Sequence, residues 1–144
     1  MGSTDVSADR AHLNVVCALI ERDGRVLVAQ RAAGRSMAGS WELPGGKIDA
    51  GESAEAAIVR EIAEELDCTV RPLERLRGRT YAYPDTTVTL VPLRCVIVAG
   101  EPTTLEHAQI RWVALGDLAA LDWSGADVAV VDDYVGSRRI AVRP

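Results

Sequence analysis

The order of apolar and polar positions divides this chain into elements before any chemistry is considered. Residues 14–21 (NVVCALIE) form an almost unbroken apolar run, which predicts a buried strand. Asp23-Gly24 is a hairpin signal, and 26–31 (VLVAQR) is the returning strand. Small residues with two glycines make 32–40 a loop, and 41–44 a short extended piece. Ile58, Ile62 and Leu66 recur at four-residue spacing, the buried stripe of a helix that Ser53 can cap and that runs to about Asp67. Residues 69–76 read as a strand, with 77–83 another or its continuation, and Pro84-Asp85 as a turn. Residues 86–98 are the richest β stretch, with Pro92 predicting a bulge or an edge position. A loop at 100–109 leads to a brief strand at 110–113. Helices are expected at 116–121 and 126–135, the second with Val128, Val131 and Val135 at helical spacing. Residues 1–11 are polar and predict a flexible start. No repeat or linker interrupts the chain, so 1–144 reads as a single α/β domain: a mixed sheet with helices on both sides.

Composition narrows the partners. Of 144 residues, 48% are hydrophobic and 26% charged, enough apolar surface for a real core. The net charge of -5 and the lack of a basic run argue against duplex nucleic acid. A small nucleotide stays compatible, because metal ions can neutralise its phosphates locally. No long apolar span or secretory segment is present, so the expectation is a cytoplasmic protein away from membranes. Cys17, Cys68 and Cys95 have no zinc spacing; Cys17 and Cys95 sit in apolar runs and read as buried thiols.

The chemistry lies in Gly45–Cys68 (GGKIDAGESAEAAIVREIAEELDC). A glycine-rich loop runs into the helix that carries Glu61, Glu64 and Glu65. Positions i, i+3 and i+4 share one helix surface, so three carboxylates crowd a single patch. Carboxylate oxygens suit hard cations such as magnesium, manganese or calcium. The bland alternative is a solvated acidic face.

The spacing of Gly46, Glu52, Arg60-Glu61 and Glu64-Glu65 resembles the Nudix box. It departs at Asp67, where the family pattern has glycine just past the helix, in a place that suits a left-handed residue. The resemblance implies a Nudix fold, an α/β/α sandwich. It also implies that Glu61, Glu64 and Glu65 bind magnesium or manganese, helped by the carbonyl of Gly45. Glu52 and Arg60 are then structural, with Arg60 pairing to Glu52, and Gly46 belongs to the loop. Such a site would neutralise a phosphoanhydride and position a water. Glu61, Glu64 and Glu106 are the candidates for catalytic roles. Glu106, six residues before Trp112, matches a glutamate that the MutT-like branch carries there, and it could also be an ordinary loop acid.

Similarity to MutT-like members extends through Gln30-Arg31-Ala32-Ala33 and Trp41–Ile48. It implies hydrolysis of a nucleoside triphosphate to a monophosphate and pyrophosphate, in nucleotide-pool sanitation. Arg31 matches a nucleotide contact there, or is a strand-end arginine in solvent. Lys47 could reach a phosphate, or be merely exposed. Asp127 stands where relatives read the base, or it is an acid favouring the helix dipole. An ionised Asp accepts only, which suits the cytosine amine and tilts the reading toward dCTP, CTP or 5-methyl-dCTP, with 8-oxo-dGTP close behind. A hydrolase of another nucleoside diphosphate derivative and a non-catalytic nucleotide-binding domain are the alternatives. A monomer and a homodimer are both compatible.

Overall fold

The structure, a computed structural model, describes the backbone of residues 11–142 and side chains to 138. The flexible start expected over 1–11 lies outside the described residues except for Ala11, which already belongs to the first strand.

Strand β1 (Ala11–Arg22) is the axis of the molecule. Along one edge it runs parallel to β7 (Thr86–Ala99), with Val16 opposite Val91. Against its other edge lies β4 (Gly45–Lys47), antiparallel, with Val16 opposite Gly46. Strands β5 (Thr69–Arg75) and β6 (Arg79–Ala82) share the far edge of β7. Strand β2 (Arg25–Gln30) turns back from β1 at Asp23-Gly24, then joins β3 (Trp41–Glu42) and β8 (Gln109–Ala114). The sheet is therefore mixed, as expected.

The apolar run of β1 is continuous because it feeds two cores. Val16, Ala18 and Ile20 face helix α1 (Ala54–Leu66) through Ile58, Ile62 and Leu66. Cys17 and Leu19 face the other side, where Val131 and Tyr134 of helix α2 (Asp127–Val142) pack with Trp41 and Trp123. Alternate residues of a strand point to opposite faces, so a strand covered on both sides needs apolar residues throughout. Both cores are apolar, and all three cysteines are buried and free. Among the described residues no helix is long and apolar enough to cross a membrane.

Three expectations change, and one left open is settled. The segment at 116–121 is a 3-10 turn over Leu115–Ala120. Helix α2 starts at Asp127, and its buried stripe runs through Asp127, Val130, Val131, Tyr134 and Val135, leaving Val128 47% exposed. The valine spacing misled because Asp127, a polar residue, occupies one place in that stripe. Of the two readings left open for 77–83, the separate strand is the one found, as β6. Pro92 sits in the central strand β7, not at an edge. Its neighbour ladder is interrupted there, with β5 ending at Arg75 opposite Leu93 and β6 beginning at Arg79 opposite Leu90. The gap removes the need for one ladder donor, while the Pro92 carbonyl still accepts from the Leu76 N–H at 2.8 Å.

Candidate active site

Two glycines let β4 lie between β1 and α1. A Cβ on Gly45 would sit 2.0 Å from the Val16 carbonyl oxygen, and one on Gly46 would sit 2.3 Å from Glu61 Oε1. The first glycine allows backbone to touch backbone. The second leaves room for a carboxylate.

Helix α1 begins where the Ser53 hydroxyl accepts from the Ala56 N–H at 3.0 Å. It ends at Asp67, which adopts φ 55, ψ 40 and donates its N–H to the Ala63 carbonyl at 3.2 Å. The aspartate thus takes the left-handed cap that the glycine of the family pattern would take. The helix end is kept, and with it the direction of the three glutamates.

Arg60 ties the preceding loop to this helix. Its Nε and Nη2 each donate to Glu52 at 2.8 Å, and Nη2 also donates to the Lys47 carbonyl at 2.9 Å. The bidentate pair holds the Glu52 carboxyl down at about 2, through the Arg60 hydrogen bonds and the Asp49 N–H. Nη1 donates to Glu61 at 2.9 Å and to Glu64 at 3.2 Å. The pairing of Arg60 with Glu52 expected from the sequence is present. The Lys47 side chain is exposed, and its backbone rather than its ammonium makes the contact recorded here.

Glu65 is the most perturbed member of the cluster. Burial, followed by the charges of Glu61, Glu106 and Glu42, pushes its carboxyl up to about 8, against one 3.3 Å hydrogen bond from the Gly45 N–H. Burial also raises Glu61, with Glu64 and Glu106 adding to it and Arg60 opposing. Glu106 reaches this cluster from a distant loop. That loop is hung on the end of α1 by Thr103 N–H to the Leu66 carbonyl at 2.8 Å and Leu105 N–H to the Glu65 carbonyl at 3.1 Å. The same bonds satisfy carbonyls that a helix end leaves open. Four carboxylates with few cations are a donor set suited to a hard divalent ion. The side chains do not stand as a closed cage: among the described residues no three such groups are gathered at ion-binding range. Arg60 lies between Glu61 and Glu64 instead.

The other end of the site is Asp127. Its Oδ2 accepts from the Leu43 N–H at 2.9 Å, and burial lifts its carboxyl to about 7. A cleft of about 180 Å³ runs from there to the glycine loop, with Val16, Cys17, Glu42, Gly46 and Leu90 in its walls. A roomier hollow, about 270 Å³, opens between the β1–β2 turn and α2 around Glu21, Arg25 and Tyr134. Its walls touch neither the glycine loop nor Asp127, whereas the smaller cleft is lined by Gly45 and Gly46, which lie against Glu65 and Glu61, so the smaller cleft is the one that chemistry selects.

Arg31 does not stand free at a strand end. Its Nη1 pairs with Glu42 Oε1 at 2.7 Å, and its Nε donates to the Ser36 carbonyl at 2.6 Å. Two participants escaped the sequence reading. Glu42 lines the cleft, and His107 Nε2 meets its second oxygen at 2.7 Å. Only adjacency could have pointed to them, since Glu42 follows Trp41 in the MutT-like segment and His107 follows Glu106.

A family description, NUDIX domain, matches residues 10–134. The chain belongs to the NUDIX family. It is 43% identical over 122 residues to a Mycobacterium tuberculosis protein named "Putative 8-oxo-dGTP diphosphatase 2", covering 83% of this chain and 85% of that one. It is 31% identical over 132 residues to the CTP pyrophosphohydrolase of Escherichia coli, covering 92% and 96%. The solution structure of the E. coli ORF135 protein superimposes with a TM-score of 0.85 at 28% identity, over 95% of this chain and 98% of that one. The MutT-like Nudix resemblance and the mixed α/β sandwich read from the sequence are both borne out, and with them a pyrophosphohydrolase.

Proposed function

We propose that this Nudix chain hydrolyses nucleoside triphosphates to a monophosphate and pyrophosphate with magnesium, manganese substituting, and serves nucleotide-pool sanitation. The observation that carries the reading is the arrangement of the cleft. The glycine loop at one end lies against Glu61 and Glu65, with Glu64 and Glu106 beside them, and the buried Asp127 carboxyl stands at the other end.

Glu61, Glu64 and Glu65, with the Gly45 carbonyl, would hold the metal, and Glu106 would join them. A bound magnesium ion would neutralise the phosphate oxygens and make a water more acidic. The chain's own groups supply the rest. Glu61 and Glu106 are the candidates for taking the proton of the attacking water, and the raised carboxyl of Glu61 suits a base. Arg60 fixes the direction of Glu61 and Glu64. Val16, Cys17 and Leu90 offer an apolar wall to a base. Arg31 acts on the nucleotide through Glu42, and Lys47 is free to approach a phosphate from the surface.

Base choice falls to Asp127. Oδ2 is taken by Leu43, which leaves Oδ1 for the base edge. Ionised, it accepts from the amine of cytosine; protonated, it can donate to the carbonyl of an oxidised guanine. A carboxyl at about 7 populates both forms near neutral pH. This supports dCTP, CTP, 5-methyl-dCTP and 8-oxo-dGTP as the substrate set, in keeping with the names of the two relatives.

The test is pyrophosphate release from that set plus dGTP, with magnesium, by the protein and its Glu65→Gln variant. Turnover that the variant loses is expected. No turnover of any triphosphate would overturn the reading.

A further inference from the structure

We propose that His107 is a positioning residue: through Glu42 it clamps the loop that carries Glu106 against the carboxylate cluster. The proposal rests on the hydrolase reading for its kinetic consequence, though not for its structural one.

His107 is deeply buried, with 7% of its side chain exposed, although it sits in a loop whose neighbours are exposed. Its Nε2 lies 2.7 Å from Glu42 Oε2, and its Nδ1 is buried without a partner among the described residues. A contact that short to a carboxylate places the hydrogen on Nε2. An imidazole is a costly group to bury with one nitrogen unmatched, so a surface loop does not place one there for packing alone.

Glu42 is the reason the burial matters. Its two oxygens join three segments. Oε1 takes Arg31, which in turn holds the Ser36 carbonyl of the 32–40 loop; Oε2 takes His107. Burial pushes the Glu42 carboxyl up, but the His107 and Arg31 hydrogen bonds outweigh it and keep it below the usual carboxylate range. Glu42 is thus a charged hub in the cleft wall. Around His107 the loop closes on itself, with Thr104 Oγ1 donating to the His107 carbonyl at 2.8 Å and accepting its N–H at 3.1 Å. Glu106 lies inside this turn. The ties on either side of it are backbone bonds at Thr103, Leu105 and Ala108. The imidazole is the one buried side-chain anchor recorded within the turn, so its loss frees Glu106 to swing away from Glu61 and Glu65.

The experiment combines amide exchange with a double-mutant cycle. In the metal-free protein, His107→Ala should speed exchange of the Leu105 and Ala108 amides by about tenfold. His107→Gln, whose amide reaches Glu42 from a similar place, should leave them near the wild-type rate. With magnesium and a triphosphate, His107→Ala should lower kcat by about 10–100-fold with KM changed far less. In a Glu106→Gln background, the same substitution should cost almost nothing further, because its effect runs through Glu106. Unchanged exchange in His107→Ala would overturn the clamp. An undiminished kcat loss in the Glu106→Gln background would overturn the route through Glu106. If the wild-type protein turns over no triphosphate, the hydrolase reading fails, and the exchange arm alone decides the clamp.

Discussion

Gly45→Ala and Gly46→Ala add the same methyl group one residue apart and should fail in different ways. At Gly45 the new carbon would stand 2.0 Å from the Val16 carbonyl oxygen and 2.8 Å from the Cys17 Cα. Both obstacles are backbone of the central strand, so β4 must lift from β1. Forced overpacking of this kind costs roughly 2–3 kcal/mol, which for a chain this long lowers Tm by about 6–9 °C. At Gly46 the obstacle is the Glu61 carboxylate, with Oε1 at 2.3 Å. That is the far end of a flexible side chain, and it can rotate away. The loss there is part of one ion pair with Arg60, which keeps its bidentate hold on Glu52, so stability falls less than at Gly45. The functional loss is larger, because the carboxylate leaves the cluster; about 10–100-fold in kcat is expected. Urea denaturation and pyrophosphate release, run side by side on both variants, separate the two effects. Wild-type stability in Gly45→Ala, or wild-type turnover in Gly46→Ala, would refute the claim that these glycines are present for space.

Asp127→Asn should move substrate preference from the cytidine set toward 8-oxo-dGTP, since an amide donates and accepts at every pH; an unchanged kcat/KM ranking would mean that Asp127 does not read the base. The metal-free protein should lose stability as pH rises. Glu65 has a folded-state value of about 8, raised above its unfolded value, so its contribution is complete below the unfolded pKa near 4.5 and is lost on the way to about pH 8. Glu65→Gln should therefore be more stable than the wild type at pH 8 without metal, by at least about 1 kcal/mol, and calorimetry across pH 5–8 with and without magnesium checks it. Ile62→Ala, which empties a fully buried place between α1 and β1, should cost about 2–5 kcal/mol in urea unfolding while leaving substrate ranking unchanged.

The glutamates, the helix that carries them and the left-handed Asp67 were legible because local rules govern all three. Four-residue spacing sets which side chains share a face, and a cap is decided within one turn. The sheet order was less legible, since the parallel contact of β1 with β7 depends on packing between segments far apart in the chain. Val128 was misread because a polar residue, Asp127, holds a core position, and a periodicity test counts only apolar ones. Arg31 was read as a ligand contact or a solvated end; its engagement by Glu42 and Ser36 needed the fold of the 32–40 loop. His107 carried no sequence signal. Its partner lies 65 positions away, and one histidine in a polar loop fits no spacing rule.

The two ends of the cleft share one electrostatic strategy. Glu65 and Asp127 are both buried, and burial raises both. In each case the charge of Glu42 adds to that rise. A protein selected for stability alone would place an apolar residue at either position, because buried carboxylates without cations oppose folding. The two apolar cores on either side of β1 supply the margin that tolerates them. Arg31 and His107 keep Glu42 ionised and still, so its field reaches both ends from a fixed point. A cation at Glu65, or a proton or hydrogen-bond donor at Asp127, would relieve at its own end the repulsion that Glu42 imposes.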